Sequence, residues 1–472
     1  MRQRDQEYIK ISPSTRQLAH QRLEFYAFFH FTVNTFTGRE WGDGTENPGI
    51  FKPEHMDAGQ WTKAIKAAGM RGAILTCKHH DGFCLWPSKY TDHTIKSSPY
   101  KDGNGDIVKE VSKALQKEGL EFGIYLSPWD RNQKTYGYGK AYDDYFVNQL
   151  EELLTGYGRI FTVWLDGACG EGSNGKKQVY DWKRYYDTIR KLQPEACIAV
   201  CGPDVRWCGN EAGDTRPSEW SVVPKRLSEA ETIQKASQQS DDTEFREKKI
   251  NSSDLDLGSR KILMNESELI WYPAEVNTSI RPGWFYHREE DEKVKSLEEL
   301  VSVYEKSVGG NATFLLNIPP TPAGLLHEKD IKRLQELGDY LRATYQTNLA
   351  ETAVIEASDE EKNHPVSSLK IPDETYYKPG DGQYTAEITV TWEKKRRFSR
   401  IVLMEQIRLG QRIEEFSLLI KEENEYRTIY EGTTVGYKKI ARFGEISTEV
   451  LKIRITDSRV CPAILFLGVY ET

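Results

Sequence analysis

Between residue 25 and about residue 345, short apolar runs alternate with stretches whose apolar residues recur at helical spacing. This alternation constrains the fold most, because parallel strands need long crossover connections and a helix is the usual one. Apolar runs at 25–31, 72–77, 121–126, 160–165 and 197–201 read as strands. Between them, residues 57–69 carry Trp61, Ile65 and Ala68 on one face. Residues 107–115 do the same with Ile107, Val111 and Leu115, with Asp106 placed to cap the start and Gly119 the end. A helix through Phe146, Leu150, Leu153 and Leu154, and another over 179–192, continue the rhythm. Residues 225–268 break it. They are polar, with Gln238, Gln239, Ser240, Asp241 and Asp242 in succession, and read as a long surface excursion. A strand resumes at 269–273, a last strand follows at 313–318, and a last helix at 326–345. Seven or eight such units predict an α/β fold with a (β/α)8-like barrel, regular or irregular, over residues 1–345. A doubly wound sheet is the alternative, but no GxGxxG follows the first strand.

Beyond residue 346 the pattern changes to alternating strands at 386–392, 400–404, 416–421, 450–455 and 463–470. Turn residues separate them, which predicts a C-terminal β-sandwich over 346–472. The net charge of −8 argues against a nucleic-acid partner, which needs a basic face. No apolar run reaches the roughly 20 residues of a membrane span. Residues 1–10 are polar and lack the apolar stretch of a signal peptide, as in a cytoplasmic or a trimmed protein. The seven cysteines include no CxxC pair, which predicts buried free thiols. The 11 Trp and 25 Tyr suit either core packing or stacking on sugar faces.

In a parallel barrel, catalytic groups sit where strands end. The first strand ends at His30, the second in Lys78-His79-His80-Asp81-Gly82-Phe83, and the third passes Tyr125 toward Trp129 and Asp130. The fourth ends in Trp164-Leu165-Asp166-Gly167. Asp166 follows an apolar run, so its carboxylate needs a partner or a purpose. It reads either as a helix N-cap or as a reacting group. Adjacent His79 and His80 would face opposite ways on a regular strand, but a bend at the strand end lets both reach one pocket. They suit metal ligation, hydroxyl recognition or structural use, and the aromatic surroundings favour hydroxyls. Acid/base work needs a second carboxylate. Glu211 is the leading candidate, with Glu219 and Glu275 as rivals.

Taken together, several motifs resemble the α-L-fucosidases of glycoside hydrolase family 29. They are Phe28-Phe29-His30-Phe31, Glu40-Trp41-Gly42, Lys78-His79-His80-Asp81-Gly82-Phe83, Trp164-Leu165-Asp166-Gly167, Trp207-Cys208-Gly209-Asn210-Glu211, Asp256-Leu257-Gly258-Ser259-Arg260 and Arg281-Pro282-Gly283-Trp284-Phe285-Tyr286. The resemblance implies a retaining double displacement with Asp166 as nucleophile and no cofactor or metal. It implies that His30, His79, His80, Glu40 and Trp41 hold fucose hydroxyls, and that Tyr125 and Trp164 line the pocket. Trp164 or Trp284 would cover the apolar methyl or the ring face. The 209–211 and 256–260 stretches resemble the subgroup acting on α1,3/α1,4-linked fucose of branched, Lewis-type glycans. There the matching acid/base is Glu211, with Glu275 as fallback. The C-terminal part resembles a discoidin-like sandwich, and the family suggests a periplasmic or secreted location. The alternatives are broad α-L-fucosidase specificity, a non-catalytic fucose binder, or a metal-dependent hydrolase using His79 and His80.

Overall fold

The structure, a computed structural model, describes residues 2–237, 246, 255–371, 373–423 and 425–471. Among the described residues, ten strands belong to the first part of the chain. They are β1 (Phe25–Phe29), β2 (Gly72–Lys78), β3 (Glu121–Leu126), β4 (Thr162–Leu165), β5 (Cys197–Val200), β6 (Arg206–Trp207), β7 (Val222–Pro224), β8 (Leu269–Trp271), β9 (Ala274–Ser279) and β10 (Ala312–Asn317). Eight of them form one parallel sheet in the order β5-β4-β3-β2-β1-β10-β9-β6. A parallel bridge from Ala199 to Val205 links the two ends and nearly closes the barrel. β1, β2, β4, β5 and β10 are buried along their whole length, as strands covered on both faces must be.

The helices start where their caps stand. Asp57 accepts from Gly59 N and Gln60 N ahead of Ala58–Ala67. Asp106 accepts from Lys109 N ahead of Ile107–Glu118, which ends at Gly119 in the left-handed conformation. The helix expected over 179–192 begins only at Trp182, because Asp181 caps it by accepting from Arg184 N, and Val179 is exposed.

One expected strand is displaced. The run 269–273 does not enter the barrel: β8 pairs antiparallel with β7 in a separate ribbon. The chain turns at Pro273, whose carbonyl accepts from Arg206 N. The following segment, Ala-Glu-Val-Asn-Thr-Ser, supplies the barrel strand β9. Its polar residues concealed it, since a buried strand ordinarily reads as apolar. Of the excursion, a 3-10 turn (Lys225–Ser228) and short helices at Ala230–Ser237 and Arg260–Leu263 are seen, and the run 238–242 lies outside the described residues.

The C-terminal strands are β11 (Val354–Ala357), β12 (Ala386–Glu405), β13 (Ile413–Glu422), β14 (Glu425–Gly432), β15 (Lys439–Ser458) and β16 (Ile464–Tyr470). They are antiparallel and enclose their own apolar core. The expected strands 386–392 and 400–404 are two parts of the 20-residue β12. Its second half is buried on both faces: Phe398, Ile401 and Leu403 join the module's core, while Val402 and Met404 pack beside Tyr304 and Tyr345 of the barrel. Five of the cysteines are buried, and no disulfide joins any two of the described cysteines. Among the described residues, no helix is long and apolar enough to cross a membrane.

Candidate active site

All ten expected site residues line one pocket at the C-terminal ends of the barrel strands: His30, Glu40, Trp41, His79, His80, Tyr125, Trp164, Asp166, Glu211 and Trp284. Phe28, Val200, Trp207, Ser237 and Asn277 complete the wall. Trp207 stood in a quoted motif without a site role, and Asn277 escaped sequence reasoning, because β6 and β9 did not read as strands. They form a pair, the Trp207 indole N–H donating to Asn277 Oδ1 at 3.0 Å.

Asp166 stands one residue beyond β4, with about a fifth of its side chain open to the pocket. Oδ1 accepts from Ala168 N at 2.9 Å, and Oδ2 accepts from the Tyr125 hydroxyl at 2.8 Å. The capping interaction is therefore real, but it closes a turn. The next α-helix begins at Trp182. Burial raises the Asp166 pKa above the ordinary aspartate value, while the Ala168 and Gly167 amides and the Tyr125 hydroxyl oppose that rise.

Two of the three imidazoles, His30 and His80, are arranged as hydrogen-bond acceptors. Asn317 Nδ2 donates to Ser279 Oγ and to the Trp284 carbonyl, so its Oδ1 faces His30 Nδ1 at 2.8 Å. Ser127 Oγ donates to the Trp129 carbonyl and so accepts from His80 Nδ1 at 2.7 Å. In both rings this network assigns the proton to Nδ1 and leaves Nε2 as an acceptor. His80 Nε2 lies 3.7 Å from Asp166 Oδ2, a gap that a donating hydroxyl can bridge. Burial lowers the pKa of His30 to about 4 and of His80 to about 3. It lowers that of His79 well below normal too, with His80 and His30 adding to the effect. All three are neutral at neutral pH.

Both adjacent histidines reach the pocket because β2 stops at Lys78. The Lys78 ammonium turns away, donating to Asp130 Oδ2 at 2.9 Å and Gln149 Oε1 at 2.8 Å. The chain then bends, with Gly82 N donating to the His79 carbonyl and Gly82 at φ +80°.

Glu40 ties the β1 loop to the β9 loop. It accepts from Trp284 N at 2.8 Å and Phe285 N at 3.2 Å, and pairs with His287 Nε2 at 2.6 Å. The Trp284 so placed donates its indole N–H to Glu211 Oε2 at 2.9 Å. The rival carboxylates lie elsewhere. Glu219 is buried between Arg206 and Arg216, whose guanidiniums outweigh the effect of burial and hold its pKa low. Glu275 does not line the pocket. It sits fully buried behind Trp164, accepting from the indole N–H at 2.7 Å and from the Tyr26 hydroxyl. Among the described residues, no group of three or more His, Cys, Asp or Glu is placed to hold a metal ion.

Neutral imidazoles, indoles and two partnered carboxylates at the strand ends of a parallel barrel suit an enzyme that hydrolyses a glycosidic bond. The comparisons narrow this. Residues 16–346 match the family model described as Alpha-L-fucosidase. The chain is 37% identical to alpha-L-fucosidase 1 of Arabidopsis thaliana, over 97% of this chain and 87% of the relative. A putative alpha-L-fucosidase from Bacteroides ovatus shares 43% identity at a TM-score of 0.86, over 100% of this chain and 76% of that one. A Ruminococcus gnavus family 29 fucosidase solved in complex with fucose shares 31% at 0.85, over 98% and 95%. The chain belongs to the α-L-fucosidase family, glycoside hydrolase family 29, and is an α-L-fucosidase.

Proposed function

We propose that this pocket removes terminal L-fucose by a retaining double displacement, with Asp166 as nucleophile and Glu211 as acid/base. The observation that carries the reading is that these two carboxylates share one pocket. Each accepts from an aromatic side chain of the pocket wall, Asp166 from Tyr125 and Glu211 from Trp284. Asp166 attacks the anomeric carbon while Glu211 protonates the departing oxygen. Glu211 then takes a proton from the water that releases fucose. The acceptor Nε2 atoms of His30 and His80 receive sugar hydroxyl protons, and the His80–Asp166 gap suits one hydroxyl shared by both. Glu40 acts through Trp284. Trp41, His79 and Trp164 complete the fucose-shaped wall.

The substrate in this reading is an α1,3/α1,4-linked fucose on a branched, Lewis-type glycan, supported by the 209–211 and 256–260 motifs. Residues 346–472 are read as a separate, discoidin-like sandwich. The test is to compare kcat/KM for a Lewis trisaccharide and a simple aryl fucoside. Preference for the trisaccharide is expected, and equal or better use of the aryl fucoside overturns the linkage assignment. Asp166→Ala should lose roughly 10⁴-fold or more in rate, with azide rescuing it to a glycosyl azide of inverted configuration. Wild-type activity in that variant would remove Asp166 from the reaction.

A further inference from the structure

Glu275 is the buried carboxylate that the reaction above does not use. It lies on β9 with no exposed surface. Oε1 accepts the Trp164 indole N–H at 2.7 Å. Oε2 accepts the Tyr26 hydroxyl, whose oxygen also lies 3.0 Å from His20 Nε2 and 3.0 Å from Thr313 Oγ1. With the Tyr26 proton committed to Glu275, His20 Nε2 is the donor to the Tyr26 oxygen. That leaves His20 Nδ1 without a partner, a lone pair rather than an unsatisfied N–H.

A buried carboxyl is costly to keep, and an apolar residue would fill the same space more cheaply. What Glu275 holds explains its presence. Trp164 stacks on Tyr125 with centroids 5.3 Å apart and planes 27° from parallel, and it meets Phe28 edge-on at 5.3 Å. Tyr125 in turn donates to Asp166 Oδ2. One unbroken series of contacts therefore runs from Glu275 through Trp164 and Tyr125 to the carboxylate in the pocket.

We propose that Glu275 is a positioning residue of the fucosidase reaction: it grips the Trp164 indole from behind, and so sets both the ring face presented to the sugar and the Tyr125 hydroxyl that aims Asp166. The grip has an electronic side. A carboxylate accepting from the indole N–H enriches the ring face, which attracts positive charge by its quadrupole. The family's transition state is oxocarbenium-like, so this gain falls on kcat more than on KM. Burial raises the Glu275 pKa to about 7, with the two donors opposing it. The grip is therefore strongest on the alkaline side of neutrality.

A double-mutant cycle tests the assignment. Glu275→Gln in the otherwise native enzyme should lower kcat/KM on an aryl fucoside about 10- to 100-fold, mostly through kcat. In a Trp164→Phe background the same substitution should cost less than about twofold, because the group it acts through is gone. Equal losses in both backgrounds overturn the proposal and make Glu275 a structural residue only. Should Glu275→Gln not fold, the native enzyme still answers. The Trp164 indole N–H, assigned in NMR by its loss in Trp164→Phe, should exchange with solvent far more slowly than the exposed indoles. Fast exchange at Trp164 overturns the grip.

Discussion

At the residue scale, Asp166 as the proposed nucleophile must be ionised to attack, and its pKa is raised by burial. The active form therefore disappears as the pH falls through a value above that of an ordinary aspartate. His30 and His80 stay neutral down to about 4 and about 3. Tyr125→Phe removes a donor that stabilises the ionised form, which moves the limb further toward neutral. A hydrogen bond of about 1 kcal/mol corresponds to a shift of roughly 0.7 pH unit, measurable as the kcat/KM–pH profile. An acid limb that stays in place would show that another group controls it. Glu211→Gln gives a complementary reading. A poor leaving group such as a sugar hydroxyl should lose about 10²–10⁴-fold, while an aryl fucoside with a strongly acidic phenol loses far less in its first step. Comparing the two substrates in the same variant checks this, and equal losses would move the acid role away from Glu211.

At the element scale, the end of β2 does two jobs in five residues. Lys78 points into a buried cluster with Asp130 and Gln149, and the next two residues present imidazoles to the pocket. Gly82 permits the turn. A Cβ there would lie 2.4 Å from Asp130 Oδ1, on a backbone at φ +80°. Gly82→Ala should therefore cost about 1–3 kcal/mol by strain and displace His79 and His80, lowering both the melting temperature and kcat/KM. Unchanged values for both would mean that the turn can be reshaped freely. The same element shows the reach of sequence reasoning. The run of apolar residues announced the strand, and the polar residues after it announced a site. Whether two adjacent histidines could share one pocket depended on where the ladder stops.

At the scale of the whole molecule, the barrel and the C-terminal module meet through a buried ion pair. Arg400, in the second half of β12, donates to Glu305 Oε1 at 2.5 Å and to the Tyr340 hydroxyl at 2.6 Å, and is 1% exposed. Glu305 and Tyr340 stand on the barrel helices Leu297–Ser307 and Glu328–Tyr345. Arg400→Leu removes one partner of this pair and leaves Glu305 short of charge compensation. The expected cost is about 3–5 kcal/mol, seen as a lower melting temperature, with the barrel pocket and its kinetics near neutral pH little changed at 25 °C. A melting temperature equal to the parent's would show that the remaining contacts, the Arg260–Asp457 and Lys438–Glu24 pairs among them, hold the two parts together without it.

Continuous apolar runs marked β1 to β5 and β10, because a strand buried on both faces has no other way to read. The strand-end rule then placed His30, His79, His80, Tyr125, Trp164 and Asp166 on one face of the barrel. Local chemistry was enough for that much. β9 was hidden, since Glu275 and Asn277 become tolerable inside a barrel only when Tyr26, Trp164 and Trp207 arrive from other strands to bond them. The roles of the carboxylates depended on the same long-range contacts. Glu211, Glu219 and Glu275 are alike in sequence. Packing gave one an indole donor in the pocket, enclosed another between two arginines, and buried the third behind a tryptophan. A carboxylate's function follows from what surrounds it, and for Glu211 and Glu275 those neighbours are far away along the chain.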